Sequence, residues 1–502
     1  GIEYASNEAG RGSIMSELVT NQAGRELNMG RDSSWLIGAD IFAVFLALIG
    51  QVVLTRALIT EDYGIFIIAL DVFATTFLIV DLGLPTILTR DGANCVNKIW
   101  DAIWRIYWIQ FMCLIPFIVV ALFGVTVIVD DWPSYLPVIV TCMLIAIAHI
   151  FSYAPRAGLR AAGYAWMEAW TKVIERIVAV TGYLILYHLG STSVESYAFA
   201  FLVGAMLGLI SAILFAKFAL KPSLNNSAWQ DLDECWTNNK SLIMQSLPFA
   251  ITLGILPYVI RIEKFIVAGT MGVDSAALFH VAQIAWLAGL VVPQALRAAL
   301  LPILGQRRNE DGKFFASIEK SLDLCFGILP VGLFGGALLI QFLLPIAFPE
   351  QYTDGSIGPS AVDLFMILLV GWCLTLLATP SYTALQAGEN PWRFTMFIGF
   401  VVVFGTIIGF ILIGSMATSP TRGLYGAAIA STLSSAFLLF SSIHLAKLWV
   451  IVRQRKTDFI AAFTLSSITC FGFATSSFIA VSGLVLFMFT PRGWRAMTAT
   501  DY

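Results

Sequence analysis

Residues Ile106–Val129 read IYWIQFMCLIPFIVVALFGVTVIV, twenty-four positions without one Asp, Glu, Lys or Arg. At 1.5 Å per residue a helix of that length reaches about 36 Å, enough to cross a hydrocarbon core about 30 Å thick. Similar apolar stretches recur at Trp35–Leu54, Leu136–Phe151, Ile177–Leu189 and Tyr197–Phe218. Over all 502 residues the chain is 58% hydrophobic and 12% charged, with mean hydropathy +0.83. A soluble domain carries about 25% charged residues. The sequence therefore specifies an all-α polytopic membrane protein.

Composition also excludes several functions. A net charge of −3 argues against a nucleic-acid partner. The seven cysteines are scattered through apolar runs without a CxxC pair, so they read as small hydrophobes and not as a disulfide framework or metal site. His149, His188, His280 and His444 lack ligand spacing, and no Ser/His/Asp or phosphate-loop pattern occurs, so an enzyme is not expected. The opening GIEYASNEAGRGSI reads as a processed or added stretch, with Met15 as the expected start. No cleavable signal is expected, because the first 34 residues are polar and the first span can itself direct insertion.

Hydropathy places spans at 35–56, 63–84, 106–128, 135–153, 167–189, 196–219, 245–268, 275–300, 323–347, 361–385, 394–414 and 424–449. The stretch 459–489 is long for one crossing and short for two; Arg492 and Arg495 favour a hairpin, giving 14 spans. Lys and Arg gather after every second span, at Arg90, Lys98, Arg105, Arg156, Arg160, Lys217, Lys221, Lys240, Arg307, Arg308, Lys313, Lys320, Arg393, Lys447, Arg453, Arg455 and Lys456. The alternate connections include DDWPSYLP (130–137) and PEQYTDGSIGPS (349–360). Positive residues stay inside, so the N-terminus is expected in the cytoplasm.

The organisation expected is a polar segment at 1–34, a six-helix lobe at 35–220, a cytoplasmic linker at 221–244, a second six-helix lobe at 245–450, and an addition at 451–502. The halves echo one another. PRAGLRAAG (155–163) and PSYTALQAG (380–388) close the fourth helix of each, and DYGIFIIA (62–69) falls on SAALFHVA (275–282). Two lobes related by an axis normal to the membrane form a transporter architecture.

Ionisable groups inside a membrane are functional candidates by default. In GYAWMEAWTKVIERIVAV (163–180), Glu168, Lys172, Glu175 and Arg176 share one arc of a helix. A polar stripe at a cytoplasmic helix end is the structural alternative. In LPYVIRIEKFIVAG (256–269), Arg261 and Lys264 share a face and Glu263 points elsewhere. They read either as a salt-bridged pin or as a cationic wall for a phosphate, where Arg offers a bidentate fork and Lys a point charge. Asp71 lacks a nearby cation in sequence and is a candidate for proton or sodium coupling; His280 and Gln283 share a face; Arg297 reads as a headgroup anchor.

Four segments resemble bacterial polysaccharide and oligosaccharide flippases, whose superfamily also holds multidrug/toxin extruders and lipid II flippases. They are LTRALITEDYGIFIIALDVFATTFLIVDLGLPTILTR (54–90), RIEKFIVAGTMGVDSAALFHVAQ (261–283), ALQAGENPWRF (384–394) and GLYGAAIASTLSS (423–435). The resemblance implies two six-helix lobes around a central, often cationic cavity. It also implies movement of a polyprenyl-diphosphate-linked glycan between leaflets of a bacterial inner membrane. The family's acidic–basic pair maps onto Glu263–Lys264, with Glu where Asp is usual. Substrate binding is expected of Arg261, Lys264, Lys172 and Arg176, and ion coupling or charge pairing of Asp71, Glu175, Glu263 and Glu168. No cofactor is expected beyond a proton or sodium gradient. The expected partners are the lipid-linked glycan, membrane lipids and the polysaccharide polymerase and export machinery. A helical pair after the twelfth span would form a groove for the lipid tail, and 459–489 is the counterpart. The competing readings are a multidrug extruder, which would want a more acidic cavity, an integral membrane glycosyltransferase or polymerase, and a non-transporting scaffold.

Overall fold

The computed structural model describes residues 29–92, 98–129, 131–220, 239–307, 310–356, 358–388 and 390–473, and all its regular elements there are helical. The first lobe holds α1 (Met29–Ala57), α2 (Thr60–Val80), α3 (Leu84–Gly92), α4 (Ile99–Ile128), α5 (Leu136–Ala161), α6 (Ala165–His188) and α7 (Val194–Ala219). The second holds α8 (Asn239–Met271), α9 (Val273–Gly289), α10 (Val291–Gln306), α11 (Asp311–Ala347), α12 (Ala361–Gln386), α13 (Pro391–Met416) and α14 (Pro420–Leu445). Two further helices follow, α15 (Trp449–Gln454) and α16 (Lys456–Phe473), the latter packed on α11 and α12. Residues 1–28, most of the linker and 474–502 lie outside the described residues, and with them the question of how often 459–489 crosses.

Seven helices make six crossings in each lobe because the second crossing is broken at a matching place. Between α2 and α3, Leu82 and Gly83 adopt positive φ of 53° and 64°. Gly83 is required there twice over: its φ suits glycine, and a Cβ would stand 2.8 Å from both Ala250 N and Phe249 Cβ of α8. Between α9 and α10 the break falls at Leu290. Pro293 has no N–H to give the Gly289 carbonyl one turn back, and the Trp372 indole of α12 donates to it instead at 2.8 Å. The repeated break strengthens the pseudo-symmetry read from 62–69 and 275–282.

Among the described residues, ten stretches are long and apolar enough to cross a membrane, so the chain is a multi-pass membrane protein. The core crossings α6 and α8 are not in that set, and both carry charge clusters in their spanning parts. Within the first lobe α6 packs on α1 and α7, and α5 packs on α7; within the second α14 packs on α12 and α13, and α8 on α13. The lobes meet mainly along α2, which lies against α8 and α9. Successive crossings alternate in direction. One face therefore collects Lys98, Arg160, Lys217, Lys240, Arg307, Lys313, Arg393 and Lys447, here the basic side. The other collects Glu61, Asp62, Asp131, Glu195, Glu350 and Asp354, the acidic side.

Candidate functional site

Two charge clusters lie within the helical bundle, one at the seam between lobes and one beside a cavity. At the seam Asp71 of α2 receives two cations from α8: Arg261 Nε at 3.3 Å from Oδ1, and the Lys264 ammonium on Oδ2. Arg261 also donates to Thr75 Oγ1 at 2.7 Å. Lys264 reaches His280 Nδ1 of α9 at 2.9 Å, so that nitrogen accepts. The Lys264 side chain is 2% exposed. Asp71, isolated in sequence, is thus the first lobe's counter-ion to the second lobe's cations. Of the two residues that share a face on α9, His280 joins this cluster and Gln283 donates to the Ile260 carbonyl of α8 at 3.0 Å.

The seam is closed on the acidic side by further contacts. Arg56, at the end of α1, donates to the Ile346 and Ala347 carbonyls at 2.7 and 3.1 Å, capping the C-terminus of α11 across the lobes. Positive charge at a helix C-terminus is favourable. The Tyr63 ring packs edge-on against Tyr352 with centroids 6.3 Å apart, and its hydroxyl donates to Gln51 at 2.6 Å.

The second cluster sits on the basic side, where α6 supplies four charges and their partners come from α5 and α1. Glu168 accepts both forks of Arg160, one at 2.8 Å. Glu175 accepts from Arg156 at 2.9 Å, and His149 Nε2 lies 3.0 Å from its other oxygen. Arg156 donates also to Thr171 at 2.9 Å. Gly204 and Gly208 of α7 make this burial possible. A Cβ at Gly208 would stand 2.9 Å from Glu175 Cβ, and one at Gly204 would stand 2.8 Å from the Glu175 carbonyl, so only glycine lets α7 seal the carboxylate in. The glutamates are 1% and 5% exposed, whereas Lys172 and Arg176 keep 24% and 34%. The helix therefore turns its carboxylates to α5 and its cations to open space.

That space is a cavity of about 550 Å³. Asp40 to Ala47 of α1 and Arg156, Lys172, Glu175 and Arg176 form one wall, and Val291 to Ala298 of α10 in the other lobe form the opposite one. Three cations and two carboxylates leave one net positive charge. Asp40 holds Lys172 at 2.8 Å, and Arg176 stacks 5.5 Å above the Phe201 ring. Lys172 and Arg176 thus line the cavity; Arg261 and Lys264 are at the seam and do not line it. Arg156 and Arg160 look like loop charges in the sequence, yet Arg156 is 7% exposed and belongs to the cluster. Asp40 and His149 had no sequence signal beyond their place in an apolar run.

Glu263 stands apart. It points into the second lobe, wholly buried, with Ser434 Oγ at 3.5 Å from Oε1 and no hydrogen-bond partner for Oε2 among the described residues. Burying a carboxylate with one long hydrogen bond carries a desolvation cost that a bound proton or cation removes. Arg297, read from sequence as a headgroup anchor, lines a second, smaller cleft inside the same lobe, beside Tyr382. Among the described residues no group of His, Cys, Asp and Glu is arranged to hold a metal.

Two six-crossing lobes, a seam on one side and a charged inter-lobe cavity on the other make up a fold shared with solved structures of MOP superfamily transporters. Three solved structures share the fold: a multidrug resistance MATE family transporter, inward-facing (TM-score 0.57, 12% identity, covering 82% of this chain and 96% of that one), the lipid II flippase MurJ, inward closed (0.54, 13%, 92% and 94%), and a MOP superfamily transporter from Pyrococcus furiosus (0.51, 15%, 84% and 94%). Residues 29–306 match the family described as polysaccharide biosynthesis protein, and the chain belongs to that family. A Shigella flexneri protein named as an O-antigen transporter is 28% identical over 193 residues, 38% of this chain and 44% of that protein. The chain thus matches under half the length of that relative.

Proposed function

We propose that the protein flips a polyprenyl-diphosphate-linked oligosaccharide from the cytoplasmic to the periplasmic leaflet of a bacterial inner membrane, for surface or exopolysaccharide synthesis. The observation that carries this reading is the placement of Arg156, Lys172 and Arg176 on the inter-lobe cavity while the acidic side is shut. The basic side is then cytoplasmic, as the positive-inside rule requires, and the N-terminus with it. The family match and the named O-antigen transporter support the substrate class.

In this reading the diphosphate enters from the cytoplasm and displaces Asp40 from Lys172, exchanging one counter-ion for another of higher charge. The glycan fills the cavity and the prenyl tail stays in lipid between α1 and α10. Opening the other side requires Asp71 to part from Arg261 and Lys264, and Arg56 to leave α11. The freed seam cations then offer the diphosphate its second station, so the substrate replaces the salt bridge that its passage breaks. The lobes, 35–220 and 245–450, rock about the headgroup with 221–244 as their tether. The protein works with the polymerase and export machinery and performs no covalent chemistry.

The test is leaflet exchange in proteoliposomes of a fluorescent polyprenyl-diphosphate oligosaccharide, with a cationic dye in parallel. Glycolipid exchange without dye efflux is expected; gradient-driven dye efflux alone would replace this reading with a multidrug extruder. Coupling is assigned to Glu263. Glu263→Gln should keep downhill glycolipid exchange but lose its acceleration by a proton or sodium gradient. An undiminished gradient response in that variant would remove Glu263 from the coupling path.

A further inference from the structure

The second-lobe cleft differs in chemistry from the diphosphate wall. It holds about 110 Å³ and is lined, among others, by Trp286, Gln294, Arg297, Thr375, Tyr382 and Ser435. A water's share of liquid is about 30 Å³, so the cleft takes a few waters, the scale of one sugar ring and not of a whole glycan. Gln294 lines this cleft and the central cavity alike, which makes the two neighbours across the edge of α10.

The hydrogen-bonding capacity of the lining is specific. Thr375 Oγ1 lies 2.9 Å from the Gly371 carbonyl and 3.3 Å from Ser435 Oγ, and Ser435 Oγ donates to the Ser431 carbonyl at 3.1 Å, so both hydroxyl protons are used within the protein. A hydroxyl has one proton, so these oxygens have only lone pairs left to offer. The donors come from other residues: Arg297, the Gln294 amide and the Trp286 indole N–H, which is buried and has no partner among the described residues. A ligand that satisfies both sets needs hydroxyl protons, oxygen acceptors and an apolar face for the aromatic rings, and a pyranose has all three. An anion would find one cation here. A hydrocarbon chain would leave the buried Trp286 N–H unpaired at a cost.

We infer that this cleft is a monosaccharide subsite, which takes the sugar next to the diphosphate while the phosphates lie on Arg156, Lys172 and Arg176 across the cavity. The inference rests on the flippase reading and deepens it: the first lobe recognises charge, the second recognises carbohydrate. Selectivity among glycans then resides in α10, α12 and α14, and a lipid diphosphate without a sugar is bound by one wall alone.

The experiment measures binding to the full chain in detergent by thermal stabilisation. The probes are farnesyl diphosphate and its glucose, galactose, fucose and N-acetylglucosamine derivatives. At least one sugar-bearing probe should bind about tenfold tighter than the bare diphosphate. Thr375→Val and Trp286→Phe, both close in shape to the native residues, should abolish that advantage and leave bare-diphosphate binding unchanged. Lys172→Ala should weaken every probe. Equal affinity across all probes in the wild type, or variants that weaken bare and glycosylated probes alike, would overturn the subsite and leave the flippase reading standing. Binding of no probe at all would sink both.

Discussion

Replacing Asp71 by alanine should cost about 3–5 kcal/mol of stability, because it leaves a buried charge without its counter-ion. Lys264 is buried, and with Asp71 gone its ammonium keeps His280 as a hydrogen-bond acceptor but no anion, with the Arg261 guanidinium nearby. The double variant Asp71→Ala with Lys264→Met should recover most of the loss, since an apolar replacement of both partners removes the desolvation cost together with the attraction. Thermal unfolding in detergent reads both. A single variant as stable as the wild type, or a double variant worse than the single, would show that the seam does not depend on this pair. The same substitution should loosen the lobes on the acidic side. Spin labels at Ile59 and Ile346, exposed positions near the contact of Arg56 with α11, should move apart in Asp71→Ala.

The legible and illegible parts of this fold divide along a physical line. Uncharged runs such as Ile106–Val129 state their own fate, because a bilayer admits few other structures for them. Hydropathy is blind to the breaks at Leu82–Gly83 and Leu290, since a broken crossing is as apolar as a straight one. The arc of Glu168, Lys172, Glu175 and Arg176 is visible from spacing, because helical period places residues on one helix. Their true partners are not visible: Arg156, Arg160 and His149 belong to α5 and Asp40 to α1, and only tertiary packing brings them in. Arg156 in particular lies near the end of an apolar run and carries the very charge that assigns loops to the cytoplasm. Asp71 is the extreme case, with Lys264 separated from it by 193 positions. The sequence suggests a charge in search of a partner at both places; the seam pairs them.

Removing both exposed cavity cations, Lys172→Ala with Arg176→Ala, should reduce glycolipid exchange by about 100-fold or more. A hydrogen bond to a charged group contributes about 1.5–3 kcal/mol, and each 1.4 kcal/mol is a factor of ten in affinity. Folding should be affected much less. Lys172 and Arg176 keep partial exposure, and the buried carboxylates behind them retain other partners: Arg160 on Glu168, and Arg156 with His149 on Glu175. This separates the pair from Arg156, whose loss strips Glu175 of its closest cation and confounds transport with stability. Charge and shape can then be told apart by restoring charge alone. Lys172→Arg with Arg176→Lys keeps two cations and should recover much of the exchange, whereas Lys172→Gln with Arg176→Gln keeps side-chain length and should not. Rising salt should weaken the wild type, since part of the attraction acts through solvent in an open cavity, and should change the double alanine variant little. Full exchange by the glutamine variant would mean that the headgroup crosses without these cations, and the cavity would lose its claim to the diphosphate.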